Sequence, residues 1–576
     1  MSTLDTELLH AARTEDLELK QVKQLAVFGE FEKEVVAKLK IAGSHLIQGA
    51  RGIGKSMLLR AAEAELDNDF LEKKSVGVYV NFKTSTLLEG VKADNKNAFQ
   101  IWVSAKLLQA LYEKLIFLDV IRDNNSSDPF QRIFGIGTIT GMKDALQFKI
   151  HLLQRLSRDP SSDKLLNEIG EDFLDKVNDI SYVNELIKEI IQEYQLNRIV
   201  FLFDEAAHTF IPEQQEIFFE IFKLLHGGKI AVKAAVYPSI TSYGKNFEVG
   251  QDAMMINLGG YETGNTGRER TRRLYRDLLD KRVTQGTARK KILAKGDLLD
   301  QCIHLSSGNP RAFLHLFNKV YEKGYTERDL LICTQDYVNH ELVPYHLGLS
   351  KRLPKYAHHV RIGLDILREC IIPELRLKNN REKKTQTQSA FFVLPPVISP
   401  NLRLSLDLLC YSGVLSKQGS VKMYNRKSGQ RYMVNLSLMF TEKAFFSNKF
   451  GEIITILSLS DYKEFGAADS ELERFLEKLK ESADECQTCS AELPGDAKFC
   501  PKCGTPVPTR SIVGQLLDDP VSYLSISNAI CDRIKQTYPK VGDIVHCSRD
   551  DLKKIPYIKT VRSRIIKNAA EEYISG

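Results

Sequence analysis

Ile47-Gln48-Gly49-Ala50-Arg51-Gly52-Ile53-Gly54-Lys55-Ser56-Met57-Leu58-Leu59-Arg60 is the stretch that decides how the rest of the chain is read. It fits G-x-x-x-x-G-K-[ST], and both flanks suit it. His45-Leu46-Ile47 can form a short buried strand, and 57–66 favours helix with apolar residues on one side. Strand, glycine loop and helix start together build an anion cradle, because the glycines let backbone N–H groups turn inward and the helix dipole favours phosphate. On this reading Gly49, Ala50, Arg51, Gly52, Ile53, Gly54, Lys55, Ser56 and Met57 wrap a nucleotide. Lys55 reaches its β/γ-phosphates, and the Ser56 hydroxyl helps hold Mg²⁺. The bland alternative is a chance match in a glycine-rich turn, and the flanking strand and helix count against it.

A metal beside that cradle needs carboxylates. Arg198-Ile199-Val200-Phe201-Leu202-Phe203-Asp204-Glu205 supplies them, as a five-residue apolar run suited to a buried parallel strand and ending in two acids. Asp204 is placed to hold Mg²⁺ through water and Glu205 to polarise an attacking water. The competing reading is a plain helix N-cap before Ala206-Ala207. A strand over Ser75-Val76-Gly77-Val78-Tyr79-Val80-Asn81-Phe82 lies between loop and acids, and another, Lys229-Ile230-Ala231-Val232-Lys233-Ala234-Ala235-Val236-Tyr237, follows them. With helices over 97–115 and 212–225, this alternation predicts an α/β fold, a parallel sheet with helices on both faces. Ser239 or Thr241, at the tip of the last strand, either senses a γ-phosphate or simply turns the chain beside Pro238.

Downstream, Leu305-Ser306-Ser307-Gly308-Asn309-Pro310-Arg311-Ala312-Phe313-Leu314 sets an arginine at a helix start. The glycine loop, the acidic strand and this Gly-Asn-Pro-Arg turn resemble the AAA+ ATPases of the origin-recognition and replication-initiator type. They are also similar to the related bacterial initiator-like ATPases of mobile-element and defence loci. The resemblance covers roughly residues 25–345. It implies an α/β P-loop domain over 26–255, a helical lid over 256–345 and ATP between them. Arg311 matches the lid arginine that touches the γ-phosphate, completing a catalytic set with Lys55 and Glu205. The arginine finger is not fixed by the resemblance, since Arg268, Arg270, Arg272, Arg273 and Arg276 compete for it. Those five also suit DNA phosphates, and a solvated helix face is the commoner explanation of such a cluster. The segment Tyr237-Pro238-Ser239-Ile240-Thr241 lacks the asparagine usual at the sensor position.

Over 350–455 an apolar helix closed by Gly413 precedes two β-like pieces around the basic turn Asn425-Arg426-Lys427-Ser428-Gly429-Gln430. Helix then basic hairpin looks like a winged helix, with Arg426, Lys427 and Arg431 meeting phosphates; an ordinary surface hairpin is the alternative. The basic run over 376–384 reads as a loop. A charged helix over 470–484 reads as a spacer within 456–485. Then come Cys486-Gln487-Thr488-Cys489 and Cys500-Pro501-Lys502-Cys503-Gly504. Two such knuckles place four thiolates around Zn²⁺, a structural site with no open position. The module, 486–505, resembles a zinc ribbon and needs its metal to fold. From 511 to 576, Lys553, Lys554, Lys559, Arg562, Arg564 and Lys567 crowd one stretch without an acid among them. That stretch is similar to a helix-hairpin-helix gripping DNA backbone. Where that hairpin usually carries glycines this chain has Tyr557-Ile558-Lys559, so a protein-docking helical pair is the other option.

At 576 residues the chain exceeds one core, and 43% hydrophobic with 27% charged residues is ordinary for a soluble globular protein. A net charge of +6 makes any nucleic-acid surface local. No signal-peptide pattern opens the sequence and no apolar run approaches the ~18 residues of a membrane span. Of ten cysteines, four lie in the knuckles and the rest are scattered, against a disulfide framework. The expectation is a cytoplasmic ATPase using ATP, Mg²⁺ and Zn²⁺ that assembles on nucleic acid, with homo-oligomers through the AAA+ domains an option. The competing class is a signalling switch that recruits an effector protein such as a nuclease. A translocating motor lacks any helicase motif.

Overall fold

The computed structural model describes residues 13–82, 96–121, 129–130, 147–150, 152–153, 163–205, 212–238, 240–259, 265–283, 286–353, 356–381, 387–424, 427–447, 449–458, 461–466, 484–485, 489, 492–493, 502–505, 516–524 and 526–575. Its first unit is a five-stranded, wholly parallel sheet in the order β2-β3-β4-β1-β5. The strands are β1 (His45–Gln48), β2 (Ser75–Asn81), β3 (Arg198–Asp204), β4 (Ile230–Val236) and β5 (Met254–Asn257). β3 and β4 are apolar on both faces because both faces are covered, as a central parallel strand requires. On one face Val200, Leu202, Ala231 and Ala235 pack with Val36, Leu39, Leu58 and Leu59 of the helices Glu30–Lys40 and Lys55–Asn68. On the other, Phe201, Phe203 and Val232 meet Trp102, Leu111, Ile187, Phe218 and Phe222 from the helices Lys96–Phe117, Ile180–Glu193 and Pro212–Leu225. Lys233 is the exception inside β4. It is fully buried and donates to the Gly43 carbonyl at 2.7 Å, with His45 Nδ1 at 2.9 Å.

β1 lies next to β4, and β4 next to β3. The ends of these three strands therefore bring the glycine loop, Tyr237 and the two acids to one edge of the sheet. The edge strand β5 is not legible in the sequence reading. Met254-Met255-Ile256-Asn257 has only one β-branched residue and is half-exposed, so it carries no buried-strand signature.

The lid helices include Gly296–Leu305 and Pro310–Lys323. They share one uninterrupted apolar core with the segment beyond, running from Tyr275 through Phe317, Phe391, Met433 and Phe465. In that segment the helix Pro400–Tyr411 ends at Gly413, whose φ of +77° suits glycine at a helix C-terminus. The antiparallel hairpin β7 (Leu415–Lys422) and β8 (Ser428–Val434) follows, and β8 pairs with β6 (Phe391–Leu394), which also takes β9 (Lys463–Glu464). The run over 376–384 departs from its loop reading as far as Arg381, and 382–384 lie outside the described residues. Arg376 and Lys378 lie in the helix Ile372–Arg381, with Arg376 donating to the Glu442 carbonyl and Lys378 paired with Asp461. Nearly all of the expected spacer helix over 470–484 falls outside the described residues; its last residue opens β10 (Asp484–Glu485), antiparallel to β11 (Glu492–Leu493). Residues 516–575 close a separate small core around Leu552, Ile558 and Ile566.

Candidate nucleotide site

The loop has the conformation its glycines permit. Gly52 and Gly54 take φ of +80° and +103°, left-handed values that a side chain resists. A Cβ at Gly52 would also lie 2.6 Å from Asn309 Oδ1. Gly54 caps the helix Lys55–Asn68, so that helix starts at the loop's end, where its dipole favours an anion.

Lys55 is buried, and its ammonium donates to the Gly49 carbonyl at 2.6 Å and the Ala50 carbonyl at 3.0 Å. It also stands 3.9 Å from the Tyr237 ring centroid. Burial pushes it down to about 7 against the opposing pull of Glu205 and Asp204. Asp204, 1% exposed, accepts from the Tyr79 hydroxyl at 2.7 Å and from the Glu205 N–H at 3.0 Å, and is hydrogen-bonded to the Ser56 side chain. Burial first, then Glu205 and Glu15, push its carboxyl up to about 7. Glu205 sits at φ +56°, a position that costs a non-glycine residue on the order of 1–3 kcal/mol. It accepts from the Tyr237 hydroxyl at 2.9 Å.

The residues present fit a nucleotide with its cation. The loop is shaped for backbone approach, one lysine is folded onto it, and a serine hydroxyl and a carboxylate stand side by side at the strand ends. The lid completes the wall. Asn309 accepts from the N–H groups of Arg311 and Ala312 at 3.1 and 3.2 Å, and its amide donates to the Arg51 carbonyl at 2.8 Å. One side chain thus starts the lid helix and ties it to the glycine loop.

The sheet edge joins Lys55, Ser56, Asp204 and Glu205, and the lid sets Arg311 beside Arg51. Tyr79 and Tyr237 are partners that sequence reasoning missed. The visible signal for Tyr237 was its place at a strand tip where a polar sensor belongs. Thr241 does not face the acids. Its hydroxyl donates to the Tyr237 carbonyl at 2.9 Å and accepts from the Tyr237 N–H at 3.2 Å. Ser239 lies outside the described residues. Of the five clustered arginines, Arg268 donates to the Ile454 carbonyl, while Arg272 and Arg276 pair with Asp300 at 3.2 and 3.1 Å. Arg272 and Arg276 thus tie two lid helices and Arg268 ties the lid to the segment beyond it; Arg270 and Arg273 are exposed.

At the hairpin, Lys427 is exposed, Arg426 lies outside the described residues, and Arg431 is half-buried with its guanidinium 5.5 Å from the Phe391 ring centroid. In the C-terminal unit Tyr557 adopts φ +67°, the left-handed value a hairpin glycine would take. Lys553 and Lys554 pair with Asp550 and Asp551 at 2.9 and 2.7 Å, Arg562 donates to the Tyr557 carbonyl at 2.8 Å, and Arg564 pairs with Glu18 at 2.9 Å. Lys567 caps a helix end, donating to the carbonyls of Ile544, Val545 and Cys547. Lys559 is exposed. In the knuckle region Cys489 lies in the turn between β10 and β11 and Cys503 is exposed, while Cys486 and Cys500 fall outside the described residues.

A glycine loop after β1, an acidic end to β3 and an intervening β4 define a P-loop protein of the AAA+ fold. The chain belongs to the ORC-CDC6-like family, whose model matches residues 9–297, half its length. A zinc-ribbon model matches residues 486–507. Among solved structures the chain is similar to the Aeropyrum pernix Orc1 protein in complex with DNA. That likeness has 12% identity and a TM-score of 0.30, covering 73% of this chain and 93% of that one, so the family assignment rests on the sequence model. No curated protein matches the chain. Among the described residues no helix is long and apolar enough to cross a membrane.

Proposed function

We propose that this chain is an ATP-binding and ATP-hydrolysing switch that assembles on or remodels nucleic acid. The observation that carries the reading is the convergence of Lys55, Ser56, Asp204 and Glu205 at one sheet edge, with the lid turn bonded to the loop above it. Lys55 would leave the Gly49 and Ala50 carbonyls for the β/γ-phosphates. Ser56 and Asp204 would hold Mg²⁺, which when bound neutralises charge on the phosphates. Glu205, steadied by the Tyr237 hydroxyl, would orient the attacking water, and Arg311 would meet the γ-phosphate. The four cysteines Cys486, Cys489, Cys500 and Cys503 have the donor chemistry for structural Zn²⁺.

Lys427, Lys553, Lys554, Lys559, Arg562 and Arg564 are the cations this reading would set against phosphates, and Lys427 and Lys559 among them are exposed. Lys553, Lys554 and Arg564 are already tied to acids, which favours a second reading, a switch whose C-terminal unit docks a protein effector. The test is ATP turnover with and without duplex and single-stranded DNA, using Glu205→Gln as control. Turnover lost in the variant and raised several-fold by DNA supports the nucleic-acid reading. Turnover that needs Glu205 yet ignores DNA at low and high salt overturns it in favour of the effector reading.

A further inference from the structure

The wall of the nucleotide site already holds an anion supplied by the chain itself. Glu572 lies in the last turns of the helix Thr560–Ser575. Its Oε1 accepts from Arg51 at 2.6 Å and from Arg311 at 2.8 Å, and its Oε2 pairs with Arg13. The three arginines arrive from separate parts of the chain: a segment before the sheet, the glycine loop and the start of the lid helix. Side-chain exposures of 7%, 11% and 15% for Arg13, Arg51 and Glu572 make this a shielded cluster. Charge-assisted pairs so placed are strong and specific in geometry. One carboxylate among three guanidiniums leaves positive charge in excess, so a phosphate carrying more negative charge is the better counter-ion.

The unit that carries Glu572 has a core of its own. Residues 516–575 close that apolar core, and beside the Glu572 cluster further polar contacts tie them to the rest. Arg564 pairs with Glu18 at 2.9 Å, Lys351 with Asp519 at 3.9 Å, and the Arg352 guanidinium stands 5.8 Å from the Tyr573 ring centroid.

We propose that Glu572 stands in for the terminal phosphate of a nucleoside triphosphate. Triphosphate and the C-terminal unit then compete for Arg13, Arg51 and Arg311, and triphosphate binding undocks that unit. The inference rests on the nucleotide reading above and adds Arg13 as a third phosphate-binding arginine. A diphosphate lacks the competing group and leaves the unit docked. Coupling between triphosphate and docking makes the surface that docking covers, around Glu572, available only in the triphosphate state.

The test uses the full chain. Equilibrium binding of a fluorescent non-hydrolysable ATP analogue and of ADP is measured for wild type and Glu572→Gln, and amide exchange over 560–575 is followed with each ligand. The expected result is analogue binding tightened on the order of tenfold in Glu572→Gln, a typical size for coupled sites. ADP affinity stays the same, which also certifies the variant's fold, and wild-type exchange over 560–575 rises with analogue but not with ADP. Equal analogue affinity in both proteins together with unchanged exchange overturns the competition while leaving the nucleotide reading intact. No binding of either nucleotide by either protein overturns the nucleotide reading itself, and the inference with it.

Discussion

Asn309 is the residue at which two functions of one side chain can be separated. Its carboxamide oxygen caps the lid helix by accepting from two backbone N–H groups, and its NH₂ donates to the Arg51 carbonyl at 2.8 Å. Losing an N-cap costs about 1 kcal/mol, and losing one neutral hydrogen bond about 1 kcal/mol. Asn309→Asp keeps the cap's acceptor but removes the donor and turns a carboxylate toward a carbonyl. Asn309→Ala removes both. If the tie to Arg51 holds the lid over the nucleotide, Asn309→Asp weakens binding of a non-hydrolysable ATP analogue by roughly fivefold, the equivalent of about 1 kcal/mol. Its thermal midpoint falls by what that one bond contributes, about 2–4 °C. Asn309→Ala shows the same loss of affinity and melts about 2–4 °C lower still, because the cap goes with the bond. The assay is a titration of each variant paired with a melt at fixed protein concentration. Wild-type affinity in Asn309→Asp would refute the claim that this bond couples lid and loop. Identical melts for the two variants would refute the claim that the oxygen caps the helix.

The buried ammonium of Lys55 makes a prediction about pH. Its folded value near 7 lies below the ordinary 10.5, so between those limits the unfolded chain binds the extra proton and stability rises with pH. The slope is at most about 1.4 kcal/mol per pH unit. Asp204, held up to about 7, acts in the opposite sense and only below that value, where its contribution is lost as pH rises from the ordinary 3.8. Urea unfolding of the nucleotide-free chain near pH 7.5 and near pH 9 should therefore show wild type gaining on Lys55→Met, and parallel curves would remove the low value. For the knuckles, about one zinc per chain is expected by elemental analysis. Cys503→Ser should lose it, and undiminished zinc in that variant would dismiss the four-thiolate site.

What could be read from the chain was what is local in it. The loop around Lys55 and the run into Asp204 are contiguous, and β3 and β4 announce themselves because both of their faces are buried. What could not be read depends on distant pairings. Tyr79 meets Asp204 across 125 residues of sequence, and Arg51 meets Glu572 across 521. No periodicity or spacing carries such information. The lid and the hairpin segment were divided near residue 350 because helical periodicity tells which face of a helix is buried without telling what covers it. The basic C-terminal stretch shows a different lapse: Asp550 and Asp551 sit three residues before Lys553 and Lys554, so the ion pairs were visible as helical neighbours.

The continuous core from Tyr275 to Phe465 has a mechanical meaning. A close-packed apolar interior resists shear, so it offers no compliant seam between the lid and the β7–β8 hairpin. The helix Pro310–Lys323 and the β7–β8 hairpin are therefore parts of one stiff body, so a force on either is carried to the other without loss in a hinge. A cavity cut into that body, by Phe317→Ala for example, would put a soft joint where there is none.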